Sequence, residues 1–250
     1  MNPVSVPGGT LGRMVDTNDP DVLLSRPAAA AAADDLGWQY VLATFQAAVP
    51  VPSVRAGMDV IGAAVTAAGA DADGHLRANL RGDQVDLSVQ DLAHTDVTYR
   101  DVEIVRAVDT ALAPLGYGYL PPTGGPRTVQ ALEIAIDCLD REKIRPFWKA
   151  VLGYVDEPGP TSDNSIVDPT RQGPCFWFQR MDEPRPQRNR IHLDITVPHQ
   201  EAEARIAAAL AAGGRLVSDA HARAFWVLAD AEGNEICVCT WQDRDPVDPQ

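Results

Sequence analysis

Several features are scarce in this 250-residue sequence. Cysteine occurs four times and never as a CxxC pair, so a disulfide framework is not expected. No apolar run approaches the roughly 18 residues of a membrane-spanning helix. The first twenty residues carry Pro, Gly and Asp where a secretory signal has an apolar core. We therefore expect a cytoplasmic protein without a membrane partner.

Positive charge is also scarce. Lys and Arg number 21 against 35 acidic residues, which gives a formal net charge of −14. A nucleic-acid-binding surface needs clustered cations that release counterions, and here the cations are dispersed along the chain. Hydrophobic residues at 45% and charged residues at 22% are typical of a globular protein. We expect a small-molecule partner and no nucleic acid.

A segment rich in Gly and Pro separates two regions with regular patterns. It reads GYGYLPPTGGPR over residues 116–127 and predicts a linker. We expect a flexible tail over 1–20, a first domain over 21–115, a second domain over 128–242 and a short tail over 243–250.

The first half opens with a helix, a strand and a second helix. Ser25 and Gly37 bound an alanine-rich helix, and WQYVLATFQAAV predicts one strand. Ser53 then caps a helix in which larger apolar residues recur at helical spacing. We expect these to form its buried face: Val54, Met58, Ile61 and Val65.

A hairpin and a third helix complete this half. The alternating segments HLRANLR and QVDLSVQD flank Gly82 and Asp83 in the manner of a β-hairpin. Thr98 and Asp101 have capping-box spacing and predict a helix that runs to about Leu115.

The second half contains an internal duplication. ALEIAIDC predicts a strand, followed by a helix that Asp140 opens and by three short strands. RIHLDITV begins the same series again about 60 residues later. Both halves of the chain therefore predict an α+β fold class.

Four motifs carry a resemblance to a known family. They are IDCLD…FWKAVLGY, VDP at 167–169, NRIHLDITV and FWVLADAEGNEICVC. Together they resemble the glyoxalase-like branch of the vicinal oxygen chelate superfamily. The resemblance implies paired βαβββ modules around a cavity whose metal ligands come from the first and last strand of each module. The superfamily includes isomerases, lyases, dioxygenases, thiol transferases and non-catalytic drug-binding proteins.

This resemblance places metal-ligand positions on four strands. The first-strand positions are Glu133 and His192, and the last-strand positions are Cys237 and either Trp177 or Gln179. Glu133, Gln179 and His192 suit Zn²⁺, Mn²⁺ or Fe²⁺, and Cys237 would shift the preference toward Zn²⁺. The alternative for Cys237 is a small buried apolar residue.

The same resemblance predicts a reactive cavity. Strand alternation places Glu133 with Asp137 on one face, and His192 with Asp194 on another. We expect Glu133, His192 and Asp194 to be catalytic, with Glu133 or His192 as the base. The lining residues expected to bind substrate are Asp137, Trp177, Gln179, Trp226 and Cys237. The predicted reaction is proton transfer, of lyase or isomerase type, on a small polar or cyclic metabolite. The alternatives are a histidine held structurally by a carboxylate and a non-catalytic binding protein.

The first half resembles the pterin-4a-carbinolamine dehydratases over residues 22–115. LGWQYVLATFQAAV, AAGADADGHLRANLRGDQVDLSV and LAHTDVTYRDVEIVRAVD carry this resemblance, which implies an α/β sandwich.

That family works with three histidines, as acid and base. Two of the three positions hold Gly74 and Leu92 here, which leaves His75, with His94 and Asp96 as further candidates. We expect a degenerate domain that serves as a ligand lid or holds a homodimer together. The alternative is a working dehydratase.

Overall fold

The computed structural model describes residues 19–121, 129–159, 164–185 and 191–243. Nearly all of the expected terminal tails, and residues 122–127 of the expected linker, lie outside these ranges. The chain divides into two units, residues 1–130 and 131–250, and each has its own hydrophobic core. No helix in the described ranges is long and apolar enough to cross a membrane.

The first unit is a four-stranded antiparallel sheet with helices. Its elements are α1 (Arg26–Asp35), β1 (Gln39–Val41), β2 (Thr44–Pro50), α2 (Val54–Ala68), α3 (Ala72–His75), β3 (Leu76–Leu80), β4 (Gln84–Val89) and α4 (Tyr99–Leu112). The strand order is β1-β2-β4-β3, with β3 and β4 joined by the predicted hairpin.

Side-chain caps start the three long helices of this unit. Ser25 and Ser53 each accept a hydrogen bond from a backbone N–H of the first turn. Thr98 and Asp101 form the predicted capping box, in which each side chain bonds the other residue's backbone N–H. These caps involve residues three apart in the chain, which is why they could be predicted from the sequence.

Two predictions for the first unit are wrong. The single strand expected over WQYVLATFQAAV is a hairpin of β1 and β2, because Leu42 and Ala43 turn the chain with φ of 48° and 54°. The predicted buried face of α2 is largely exposed: Val54, Met58 and Val65 are 53%, 56% and 47% accessible.

Small residues of α2 face the core instead. A Cβ atom at Gly57 would collide with Leu80 on β3 and crowd Val85 on β4. The helix therefore packs on the sheet through Gly57 and through Ala56, Val60 and Ala64. Larger side chains on this face would force helix and sheet apart.

Part of the expected linker packs on the first unit. The ring of Tyr119 contacts Trp38 edge-on at 5.9 Å, and its hydroxyl donates to Asp109 at 3.0 Å. Burial, followed by the charge of the Asp109 carboxylate, raises the pKa of Tyr119. Leu120 N–H donates to the Ala48 carbonyl at 2.8 Å.

The second unit consists of two βαβββ modules. The first contains β5 (Glu133–Cys138), α5 (Arg141–Leu152), β6 (Val155–Asp156), β7 (Ser165–Val167) and β8 (Cys175–Arg180). The second contains β9 (Asp194–Thr196), α6 (Ala202–Ala211), β10 (Arg215–Ser218), β11 (Phe225–Ala229) and β12 (Glu235–Cys239). The strand expected over RIHLDITV is thus reduced to three residues.

Each module forms one mixed sheet. The orders are β5-β8-β7-β6 and β9-β12-β11-β10, so the first strand of each module lies beside the last and runs parallel to it. The helices α5 and α6 contact each other. One face of each sheet joins the common core with these helices.

Candidate functional site

A cavity of about 700 Å³ lies on the second module. Its polar lining residues are His192, Asp194, Ser218, His221 and Glu235. Its other lining residues are Val217, Phe225, Val227, Cys237 and Cys239. The volume is typical of small-molecule sites, which combine apolar walls with a few polar groups.

Strand alternation places the thiols and a carboxylate in this cavity. On β12, Glu235, Cys237 and Cys239 line it, whereas the intervening Ile236 and Val238 belong to the helix-packed core. Alternate residues of β12 therefore face the cavity and the hydrophobic core.

The parallel pairing of β9 with β12 brings two of these groups together. Asp194 lies opposite Cys237 in the register, and the Cys237 N–H donates to the Leu193 carbonyl at 2.8 Å. Burial, followed by the hydrogen bond to Asp194, raises the pKa of the Cys237 thiol to about 12. The thiol is therefore neutral at pH 7 and donates its proton to the carboxylate.

Three donor atoms of different types converge here. One ligand atom from each of His192, Asp194 and Cys237 lies within 4.8 Å of the other two. Nitrogen, oxygen and sulfur donors suit Zn²⁺, whose structural and catalytic sites use all three. The residues therefore fit a divalent metal of the kind that the family resemblance implies, with Asp194 in place of Glu133.

The first module's predicted residues lie elsewhere. Glu133 and Asp137 are on β5, and their register partners on β8 are Cys175 and Gln179. Trp177 lies between those two partners, opposite Ala135. None of the four predicted residues on this sheet lines the cavity around His192.

Trp226 lies on the face of β11 opposite to the cavity. It lies opposite Val238 in the β11–β12 register and packs against the helix-side core. Its neighbours Phe225 and Val227 line the cavity instead, because successive side chains alternate between the faces of a strand. The aromatic wall of the cavity is therefore Phe225.

His221 and Cys239 are among the lining residues that sequence reasoning missed. His221 lies between β10 and β11, and its ring stacks on Phe225 with centroids 4.9 Å apart. Because His221 lies in a loop, no helical or strand periodicity in the sequence indicates that it faces the cavity. Cys239 was detectable, because it is two residues from Cys237 on the same strand and shares its face.

A buried polar network fixes the turn before β12. Asp230 is fully buried and accepts hydrogen bonds from the Trp148 indole, the Asn234 amide and two backbone N–H groups. Glu232 of the same turn accepts from the backbone N–H groups of Leu139 and Asp140. The β5–α5 loop and the helix α5 of the first module thus anchor the turn that leads into β12.

In the first unit, each candidate histidine has its own carboxylate. His75 Nδ1 lies 2.8 Å from the fully buried Asp101, and His94 Nδ1 lies 2.8 Å from Asp91. Although burial opposes it, the hydrogen bonds from His94 hold the pKa of Asp91 below its usual value. Asp96 accepts from the Val97 N–H.

The two positions where the family resemblance places missing histidines are close together. Leu92 N–H donates to the Gly74 carbonyl at 3.1 Å, directly beside His75. A Cβ atom at Gly74 would meet nothing within 4 Å. Side chains at both positions could therefore share a site with His75.

Residues 133–239 match the family model of the glyoxalase-like domain. The second half thus carries a glyoxalase-like domain, and the match does not extend to the first half. No curated protein matches the chain.

Among solved structures, a glyoxalase/bleomycin resistance protein/dioxygenase family enzyme from Burkholderia phytofirmans PsJN is 16% identical, with a TM-score of 0.34. The similarity covers 43% of this chain and 95% of that one. The fosfomycin resistance protein FosX from Mesorhizobium loti is 9% identical, with a TM-score of 0.36, over 45% of this chain and 92% of that one.

Proposed function

We propose that the second half is an enzyme that transfers a proton within a small polar or cyclic molecule, in a lyase or isomerase reaction. The observation that carries this proposal is the 700 Å³ cavity in which His192 and His221 share a lining with carboxylates and apolar side chains. Histidine is the side chain whose ordinary pKa suits proton transfer near neutral pH.

His192 accepts the substrate proton in this proposal. It lines the cavity and is two residues before Asp194, which begins β9. Asp194 accepts a hydrogen bond from the Cys237 thiol, and its carboxylate would stabilise the imidazolium that forms on His192. Phe225 supplies a flat apolar wall for a ring or a carbon chain.

If a divalent ion were bound, a residue other than His192 would carry the substrate proton. Held by His192, Asp194 and Cys237, it would supply Lewis-acid polarisation of a substrate oxygen. The His192 imidazole is then committed as a ligand. Glu235 and His221 remain in the cavity as proton carriers.

A fragment screen with the full chain tests the proposal. Pterins, α-ketoaldehydes and α-hydroxy acids are the probes, and crystal soaking locates any that bind. We expect occupancy beside His192 and at least a tenfold loss of affinity, about 1.4 kcal/mol, in His192→Ala. His199→Ala is the matched control, because His199 contacts Trp241 and does not line the cavity.

Three other results would change the assignment. Binding beside His192 without any turnover supports the non-catalytic binding protein. Unchanged affinity in His192→Ala makes that histidine structural. Binding only near His75 and His94 moves the function to the first half.

A working pterin dehydratase in that half is the second candidate. Its supporting observation is His75, which is 13% exposed and oriented by a buried carboxylate at 2.8 Å, as an acid–base histidine requires. Asp101 also caps α4, however, so this pair serves the fold as well.

A further inference from the structure

The cavity of the second module has two chemically different ends. In the register of its sheet, Cys237 on β12 lies opposite Asp194 on β9. Two residues further along β12, Cys239 lies opposite Phe225 on β11. Glu235 is two residues on the other side of Cys237, so it is further still from Phe225. The two carboxylates therefore belong to one end of the cavity, and the aromatic ring belongs to the other.

The carboxylate end carries negative charge from two neighbouring strands. Asp194 on β9 and Glu235 on β12 both line the cavity. No lysine or arginine is among the described residues that line it. An anionic ligand would therefore meet like charges, whereas a cation can form charge-assisted hydrogen bonds with the carboxylates.

The lining histidines do not reverse this charge in the proposed reaction. His192 and His221 would add positive charge only when they are protonated. A general base must be unprotonated before it accepts a proton, so the proposed function requires a neutral His192 when substrate binds. The cavity then receives its substrate with the negative charge of Asp194 and Glu235 in place.

The other end of the cavity offers a flat apolar surface. The rings of Phe225 and His221 stack with centroids 4.9 Å apart and planes inclined by 24°. Val217 and Val227 are further apolar lining residues. Stacked rings and aliphatic side chains favour a ligand that brings a ring or a carbon chain to this end.

The strand register also sets the distance between the two ends. Asp194 is in the row of Cys237, and Phe225 is in the row of Cys239. Two residues along a strand correspond to about 7 Å. A ligand that contacts both ends therefore carries its charged group a few carbon–carbon bonds away from its ring.

We propose that the ligand of this cavity is an organic cation, an amine whose ammonium group binds the carboxylates of Asp194 and Glu235 and whose ring or carbon chain packs on Phe225. This inference rests on the proposed function, because it takes the same cavity as the active site and His192 as a neutral base. The ammonium group also favours the proposed proton transfer. Positive charge near a carbon atom stabilises the negative charge that forms there when His192 removes its proton.

Calorimetric titration of the full chain with three matched probes tests the inference. The probes 2-phenylethylamine, 2-phenylethanol and 3-phenylpropanoate share a ring and a two-carbon chain and differ in charge. A strong chelator is present, so that no metal ion occupies Asp194. We expect the amine to bind at least about tenfold more tightly than the other two. Equal or tighter binding of the carboxylate, or no binding of the amine at millimolar concentration, overturns the inference.

Glu235→Gln locates the charge that selects the amine. It keeps the size of the side chain, so we expect binding of the amine to weaken by about tenfold and binding of the alcohol to stay unchanged. Asp219→Asn is the matched control, because Asp219 is exposed just after β10 and does not line the cavity. An equal loss in Asp219→Asn would show that the net charge of the whole protein attracts the amine, which overturns the inference.

Phe225→Leu tests the apolar end. It removes the flat ring and keeps an apolar side chain, so binding of the amine and of the alcohol should weaken by a similar factor. A loss for the amine alone would place the ammonium group on the ring instead of the carboxylates, and the inference would be wrong.

Failure of this inference differs from failure of the proposed function. If 3-phenylpropanoate binds in place of the amine and His192→Ala weakens it, the cavity remains the active site and the inferred charge of the ligand is wrong. Preferred binding of amines without any turnover supports the cation site and replaces the proposed enzyme by the non-catalytic binding protein.

Discussion

The thiol of Cys237 is hydrogen-bonded to the carboxylate of Asp194 across parallel strands β12 and β9. The two residues are 43 positions apart in the sequence and lie opposite each other in the register. Burial and this carboxylate together keep the thiol protonated, with its pKa raised to about 12. The pair therefore gives the cavity a neutral sulfur donor beside a charged oxygen.

Removal of the Asp194 charge should make Cys237 more reactive. The thiolate is the nucleophile, and a lower pKa increases its fraction at a given pH. We expect Asp194→Asn to be alkylated faster than the wild type at mildly alkaline pH, with the rate rising as pH approaches the lowered pKa. Mass spectrometry of the peptide that contains Cys237 measures this, with Cys237→Ser as the background. An unchanged rate would mean that burial alone sets the pKa.

Cobalt should report which residues can hold a metal. We expect Co²⁺ to bind the donor set His192, Asp194 and Cys237 and to give a thiolate-to-metal charge-transfer band in the near ultraviolet. Cys237→Ser should abolish the band, and a strong chelator should remove it from the wild type.

Glu133 provides the control for this titration. The family resemblance makes it a ligand, but the structure places it on the other module's sheet. Glu133→Gln should therefore leave the cobalt band unchanged. Loss of the band in Glu133→Gln would show that the two sheets combine in one metal site.

Trp148→Phe should destabilise the second half. It removes the indole N–H that bonds the fully buried Asp230 at 2.9 Å. Leaving a buried acceptor without one donor costs about 1–3 kcal/mol, to which the lost side-chain volume adds. The free energy of unfolding in urea measures the effect. Trp241→Phe is the control, since Trp241 is 64% exposed, and a comparable loss there would refute the argument.

The first half should gain dehydratase activity when its missing histidines are restored. Each acid or base group contributes roughly 10²- to 10⁴-fold in rate. We expect the wild-type chain to accelerate 4a-hydroxytetrahydropterin dehydration only weakly, and Gly74→His with Leu92→His to exceed either single change. The loss of chemically generated carbinolamine follows the reaction.

The matched control for the restored site is His75→Ala in the double variant. It should abolish the gain, because the new histidines would then lack their partner. Strong wild-type turnover that His75→Ala abolishes would instead establish the domain as a working dehydratase.

Sequence by itself determined the local structure of this protein. The capping box of Thr98 and Asp101, the serine caps and the hairpin at Gly82 and Asp83 depend on residues a few positions apart. Their hydrogen bonds form wherever the chain adopts the local conformation, so the pattern is sufficient. The duplication of the βαβββ unit was visible for the same reason, because each module repeats a local order of elements.

Only the tertiary structure decided which face of each element is buried. The α2 sequence offers two apolar faces, and the close approach of Gly57 to Leu80 selects the one with small residues. Likewise, alternation separates Phe225 from Trp226 but does not say which one faces a helix. The cavity residues His192, Asp194 and Cys237 meet through strand pairing between distant segments. Such pairing depends on the tertiary packing of helices against sheets. The periodicity within one segment does not determine that packing.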